Sequence, residues 1–249
     1  ALQNLANALP PEKWSYSGKS DFGIMRSYLA NVFSKLYMER EEAPESEKQN
    51  FIYEDDIQAC FNTGLYDKHL QPIYYYCVLN NIPGFQRWKF EMFYNSYTIR
   101  YTKMPSLAVS RLQRPNFFSD PSELIMDPRL DIIPQWEHIL DDDENYNRIP
   151  EQLRVNGKDF CRNLIQSEIE NVKKRIQANY KTVVPQWYKN KIQLLVPLYL
   201  TNGENPDLAL VLSQSEDKTQ YFGHTCLTME MAYNNARLVA RPDSYWLHP

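Results

Sequence analysis

The sequence has little glycine, 7 residues in 249, and that scarcity excludes a group of functions. Loops that cradle phosphate need close backbone approach without a Cβ. No GxGxxG or GxxxxGKS/T run occurs, so the common dinucleotide and P-loop sites are excluded. Cysteine is equally sparse: Cys60, Cys77, Cys161 and Cys226 lie far apart in apolar neighbourhoods and form no CxxC pair. They read as reduced, buried small hydrophobes rather than a disulfide framework. His69, His138, His224 and His248 show no HExxH or HxxxH spacing, so neither a zinc site nor another cofactor is expected. No apolar run reaches membrane-spanning length and no signal peptide is read, so the cytoplasm is the expected location and no membrane partner is expected. The net charge of −4 lacks the global basic field of a non-specific nucleic-acid binder.

What is present is an ordinary globular balance, 43% hydrophobic against 23% charged, which argues against disorder. The chain is long enough for one substantial domain or two packed lobes. Residues 21–41 carry a helical period in Met25, Tyr28, Leu29, Val32, Phe33 and Leu36, with Ser20 or Asp21 as N-cap. The acidic stretch 39–50, interrupted by Pro44, reads as a solvated loop. Three β-like runs follow at 51–61, 71–79 and 87–97, the first two joined by a turn over 62–67. Tyr74, Tyr75 and Tyr76 must alternate faces, so at least one ring meets water or a partner.

From 105 to 150 prolines divide the chain into short segments. Residues 116–151 hold ten acids and two bases, whereas 152–191 hold nine bases and three acids. The basic part contains a long helix from 159 to about 181, striped with Cys161, Ile165, Ile169, Val172, Ile176 and Tyr180 and stopped by Pro185. Its bases can meet phosphate, but pairing with the preceding acids within the fold is favoured. Strands at 192–200, 208–213 and 220–227 form an antiparallel meander, and Pro197 demotes the first to an edge or a bulge. A last helix spans about 228–240, stopped by Pro242, with Met229, Ala232, Tyr233, Ala236, Val239 and Ala240 as its packing face.

Three segments are candidates for chemistry. On the last helix, Glu230, Asn234, Arg237 and Arg241 share the opposite stripe, and Asn235 adjoins Asn234. Each asparagine gives up roughly 0.5 kcal/mol of helix propensity against alanine. Amides and guanidinium forks on one stripe suit a phosphate, a carboxylate or a base edge; a solvated polar face is the plain alternative. Asn179 lies on the apolar seam and Lys181 just beyond, with Trp187 and Tyr188 as stacking surfaces; a local backbone bond by Asn179 is the alternative. His138 beside Glu137, with Arg148 ten residues on, offers a general base near neutral pH or an ordinary exposed histidine.

These same segments carry a resemblance. FNTGL at 61–65, HIL at 138–140, NYKTVVPQWY at 179–188, IQLLVPLYL with DLALVL at 192–212, and LTMEMAYNNARLVARPDSYWL at 227–247 resemble the family known as domain of unknown function 3825. The resemblance implies one module, mostly bacterial, some of whose members stand beside LOTUS-type RNA-binding modules. It supplies no catalytic residues.

The expected fold is therefore α+β: a front helix with antiparallel β-hairpins over 1–115, an acidic irregular connection over 116–150, and a helix, three-stranded meander and helix over 151–249, together a single domain of two lobes. The first functional expectation is an RNA- or nucleotide-associated module. Its polar cleft is lined by Asn179, Lys181, Trp187, Tyr188, Asn234, Asn235, Arg237, Arg241 and Arg148. The second is a hydrolase or transferase of a phosphate-containing substrate, with His138 as acid or base and Arg237 stabilising charge. The third is a protein-interaction scaffold using exposed tyrosines and the sheet edge near Pro197.

Overall fold

The computed structural model describes every residue except 105, 202, 244, 245, 248 and 249, and the side chains of Ser106 and Leu107. His248, the Asn202 start of an expected turn, and two residues of the C-terminal resemblance segment therefore lie outside the described residues. The chain forms two compact units, Ala1–Asn116 and Phe117–Pro249. Helices and largely antiparallel sheets occur together, an α+β fold. No helix among the described residues is long and apolar enough to cross a membrane.

The first unit has helices α1 (Leu2–Ala8) and α2 (Gly23–Glu42), strands β1 (Ile52–Glu54), β2 (Gln58–Tyr66), β3 (Pro72–Leu79) and β4 (Trp88–Asn95), then α3 (Ser96–Thr102) and α4 (Ser106–Arg111). The strands pair antiparallel in the order β1-β2-β3-β4. In α2 the expected stripe is buried apart from Phe33, which is 43% exposed. Its start differs from expectation: Phe22, at φ 55, precedes the helix, and Asp21 accepts the Gly23 N–H instead of capping. The helix also runs through 39–42, ending only where Ala43 turns extended before Pro44. The expected strand over 51–61 is split at Asp55, whose Oδ1 accepts the Ile57 and Gln58 amides.

The expected turn over 62–67 is largely strand. β2 continues to Tyr66 through a register shift after Asn62, and the chain reverses at Asp67–Leu70. Asp67 Oδ1 accepts the His69 and Gln71 N–H groups, which closes that reversal. Gly64, at φ +73, makes the shift possible, and a Cβ there would stand 2.9 Å from the Tyr28 hydroxyl. That hydroxyl donates to the Thr63 carbonyl at 3.0 Å. Gly64→Ala is therefore expected to destabilise the unit by about 2 kcal/mol through positive φ plus the close contact. Thermal melts should show part of that loss recovered in Gly64→Ala/Tyr28→Phe. One core cluster of this unit is Cys60, Tyr74, Tyr76, Ile99, Met104, Val109 and Leu112.

The second unit contains β5 (Asp131–Pro134), a π-helical turn at Glu137–Asp141, α5 (Asp143–Tyr146), α6 (Glu151–Arg154), α7 (Lys158–Ala178), β6 (Val184–Tyr188), β7 (Lys191–Leu198), β8 (Leu208–Gln214), β9 (Gln220–Leu227) and α8 (Met229–Val239). The sheet order is β5-β9-β8-β7-β6. The expected meander is its centre, flanked by two further strands: β6, antiparallel, and β5, parallel to β9. Pro185 does not stop α7 but lies in β6; Asn179, extended at φ −151, ends the helix. Tyr180 consequently leaves the apolar stripe and is 60% exposed. Lys189 and Asn190, both at positive φ, make the tight β6–β7 turn.

β7 is not an edge strand, because it lies between β6 and β8. Pro197 is tolerated because β6 pairing stops at Leu195, leaving only Ala209 of β8 opposite the proline. Nor is the acidic stretch a connection. Met126, Ile132, Ile139, Leu140 and Ile149 join the α7 stripe in one core. Lys158 pairs with Asp141 at 3.1 Å and Lys173 with Asp131 at 3.7 Å, so acids and basic helix neutralise one another in part.

Candidate functional site

Alternation along β3 buries Tyr74 and Tyr76 on one face and sends Tyr75 to the other. Antiparallel register then places Phe61 of β2 and Phe93 of β4 opposite Tyr75, and Phe90 opposite Cys77. The rings meet in series. Phe61 and Tyr75 stack at 4.9 Å with 17° between planes; Tyr75 touches Phe90 at 4.7 Å and Phe93 at 5.5 Å; Phe90 and Phe93 are 5.0 Å apart. From α2, Phe33 reaches Phe61 at 5.4 Å and Tyr37 at 6.4 Å. These six rings, together with Trp88, line an open hollow of about 980 Å³.

Three arginines, Arg26, Arg40 and Arg87, also line this hollow, against one acid, Glu54. Arg40 pairs with Glu54 at 3.0 Å and Arg26 with Asp21 at 3.3 Å. Arg87 lies 4.7 Å over the Trp88 ring while donating to the Asp55 carbonyl. Each guanidinium retains donors beyond those contacts, since the fork carries five N–H groups. Cys77 faces the same space, but burial pushes its thiol up to about 11, so it stays protonated and unreactive near neutrality. The hollow is chemically a stacking surface edged with anion donors.

The residues singled out in sequence all lie in the second unit and do not assemble into one cleft. Asn179 is exposed and accepts the Lys181 N–H, the local bond that was its plainer reading. Lys181 is exposed beside it, and Tyr188 is exposed at the end of β6 with Lys189 over its ring at 5.4 Å. Trp187 packs edge-on to Phe117 at 5.5 Å. Arg237 is only 9% exposed and sits among the buried positions of α8. This corrects its assignment to a polar outer stripe, while Arg241 lies exposed beyond the helix. Asn234 donates to Asn235 at 3.4 Å, and Asn235 to the buried Gln186 at 3.2 Å. His138 is exposed on the π-helical turn. Arg148 donates to the Cys226 carbonyl and Thr225 hydroxyl and pairs with Glu144 at 3.0 Å. The structure therefore links Asn235 to Asn234 and to the buried Gln186, with Arg237 on the same helix, while Asn179 with Lys181, Trp187 with Tyr188, His138 and Arg148 lie outside α8.

The aromatic face was missed as a site. Its sequence signal is the spacing of Tyr75, Phe90 and Phe93, which becomes a platform only when β3 and β4 pair. Among the described residues no three His, Cys, Asp or Glu side chains converge as a metal ion would require. No curated protein and no solved structure matches the chain. The family model described as Domain of unknown function (DUF3825) matches residues 5–246, nearly the whole length, and the chain belongs to that family.

Proposed function

We propose that this chain is an RNA- or nucleotide-associated module that receives bases on the aromatic face of β2, β3 and β4. The observation that carries this reading is the six-ring array over an open hollow flanked by Arg26, Arg40 and Arg87. Every base has a π-face, and stacking on an aromatic side chain contributes roughly 1–3 kcal/mol per base. Arginine forks hold phosphate oxygens. With a net charge of −4, binding is led by stacking. Three arginines give a shallow salt dependence, a slope of about −2 for single strands. The unpaired cysteines fit a reducing, cytoplasmic setting.

Anisotropy of a short labelled single-stranded RNA, with competing mononucleotides as a second arm, tests the reading. Tyr75→Ala is expected to weaken binding about 10-fold or more, and Arg87→Ala to flatten the salt slope. Mononucleotides competing as well as RNA would identify the nucleotide as the ligand. Absence of binding at about 100 µM protein in low salt, or binding indifferent to both Tyr75→Ala and Phe93→Ala, would remove it. The scaffold alternative has lost its sheet edge, since β7 is interior. The catalytic alternative has lost Arg237, which is buried.

A further inference from the structure

Between Val211 and Leu212 the β8–β9 register slips by one. Val211 faces Thr225 and Leu212 faces Gly223, leaving His224 as the extra residue of a bulge. Bulges re-aim side chains and recur beside active sites. Here the His224 Nε2 lies 2.5 Å from the Ser213 Oγ, and its Nδ1 lies 2.8 Å from Gln135 Oε1. Gln135 follows β5 directly, and its own N–H donates to the Gly223 carbonyl, which anchors the third member. Gln135, Ser213 and His224 are each partly exposed.

The tautomer follows from these contacts. Gln135 Oε1 accepts from Nδ1–H, so Nε2 is the lone-pair nitrogen and takes its hydrogen bond from Ser213. Burial, and secondarily the nearby His138, hold the His224 pKa below its ordinary value, so the ring is neutral near pH 7 and free to accept a proton. A side-chain amide takes the orienter's place in the convergent Cys–His–Asn relays.

A donor for developing negative charge stands on the next strand. Leu194 faces Leu212, so one further step along the same antiparallel register sets Gln193 beside Ser213. Gln186 Nε2 holds Gln193 Oε1 at 2.9 Å, and Asn235 in turn holds Gln186. Gln193 makes no other hydrogen bond among the described residues, so its Nε2 hydrogens remain available. The amide chain Asn235–Gln186–Gln193 thus presets an oxyanion donor beside the serine.

We propose that Ser213, His224 and Gln135 form a nucleophile–base–orienter relay that hydrolyses a short, polar carboxylic ester, with Gln193 receiving the oxyanion. Ser213 Oγ bonds to the ester carbonyl carbon as its proton passes to His224 Nε2. The C–O bond to the alcohol then breaks, and His224 returns that proton to the departing oxygen. Water adds to the acyl-serine while His224 takes a proton from it. The Oγ–C bond breaks, Oγ regains the proton, and the acid leaves. Ser213 faces Phe222 across β8 and β9, with the Gln135 and Gln193 amides near it, so the acyl group meets one ring and two amides, which favours a short polar acyl group over a long alkyl chain. Asn235 and Gln186 are positioning residues.

A fluorophosphonate probe on the full chain, with peptide mass spectrometry, and hydrolysis of p-nitrophenyl acetate and octanoate test this. The probe is expected on Ser213 of the unaltered protein and absent from Ser213→Ala. Acetate should be turned over faster than octanoate. His224→Gln should lower kcat about 100-fold or more, and Gln193→Ala about 100-fold with KM little changed. Gln135→Ala should lower labelling, with Gln135→Asn restoring part of it. An unlabelled Ser213 in the unaltered protein, together with hydrolysis no faster than Ser213→Ala, would overturn the relay. Preference for octanoate would overturn the assigned substrate class. Ser213→Ala should leave nucleotide binding by the first unit unchanged, so the two readings stand or fall separately.

Discussion

Tyr221→Ala is expected to destabilise the Phe117–Pro249 unit by about 3–5 kcal/mol, the range for truncating a large buried aromatic. Tyr221 is 2% exposed and belongs to the core that the α7 stripe shares with β7, β8 and β9. It sits on β9 between Ile132 of β5 and Gln214 of β8, so the void would open beneath three strands. Its hydroxyl also accepts the Asp127 N–H at 3.0 Å, tying the segment before β5 to the sheet. Tyr221→Phe should therefore lose only about 1 kcal/mol, the net value of one hydrogen bond. Hydrogen exchange of the α7 amides reads this loss in the unit concerned. A loss below about 2 kcal/mol for the alanine variant would mean that the surrounding core closes over the void.

Asp67→Ala should lower the stability of the Ala1–Asn116 unit by about 3 kcal/mol, since three donors lose their acceptor at about 1 kcal/mol each. Oδ1 accepts the His69 and Gln71 amides, and Oδ2 accepts the Asn95 side chain. Burial alone would raise this carboxyl's pKa. The bonds from Gln71, His69 and Asn95 outweigh it, and the pKa is held below the ordinary aspartate value. A folded pKa below the unfolded one gives a contribution fully present above the unfolded value near 3.9 and lost as pH falls through the folded value. Asp67→Asn can keep Oδ1 on both backbone amides while losing the bond from Asn95. It should retain most of the neutral-pH stability and shed this part of the acid dependence. Urea midpoints at pH 7 and on the acid side separate the two variants. Equal acid sensitivity of Asp67→Asn and the unaltered chain would assign that sensitivity to other carboxyls.

The parts legible in sequence are those whose signal is local. The stripes of α2 and α7 and the three meander strands repeat their apolar residues within a few positions, and all five form near the expected residues. β5 and β6 carry weaker signals: one has four residues ending in proline, the other is short and contains Pro185. Their pairing energy comes from β9 and β7, which local periodicity does not encode. Arg237 shows the same limit in a side chain. Its position on α8 suggested an outer stripe, yet the helix turns it toward buried neighbours.

The candidate sites required tertiary structure for a stronger reason. Gln135 reaches His224 across 89 positions of sequence, and a one-residue register slip aims the ring at Ser213. The aromatic platform likewise depends on three strands choosing one register, because a shift by one residue would send Tyr75 to the opposite face. Motif, period and spacing in the sequence by itself determined that glycine-dependent phosphate loops were excluded, that helices and strands would mix, and that four distant cysteines had no local pairing pattern. Which polar groups face one another was decided only when the strands paired. Hydrogen-bond geometry is set to tenths of an ångström by long-range register, and no short window of sequence carries that information.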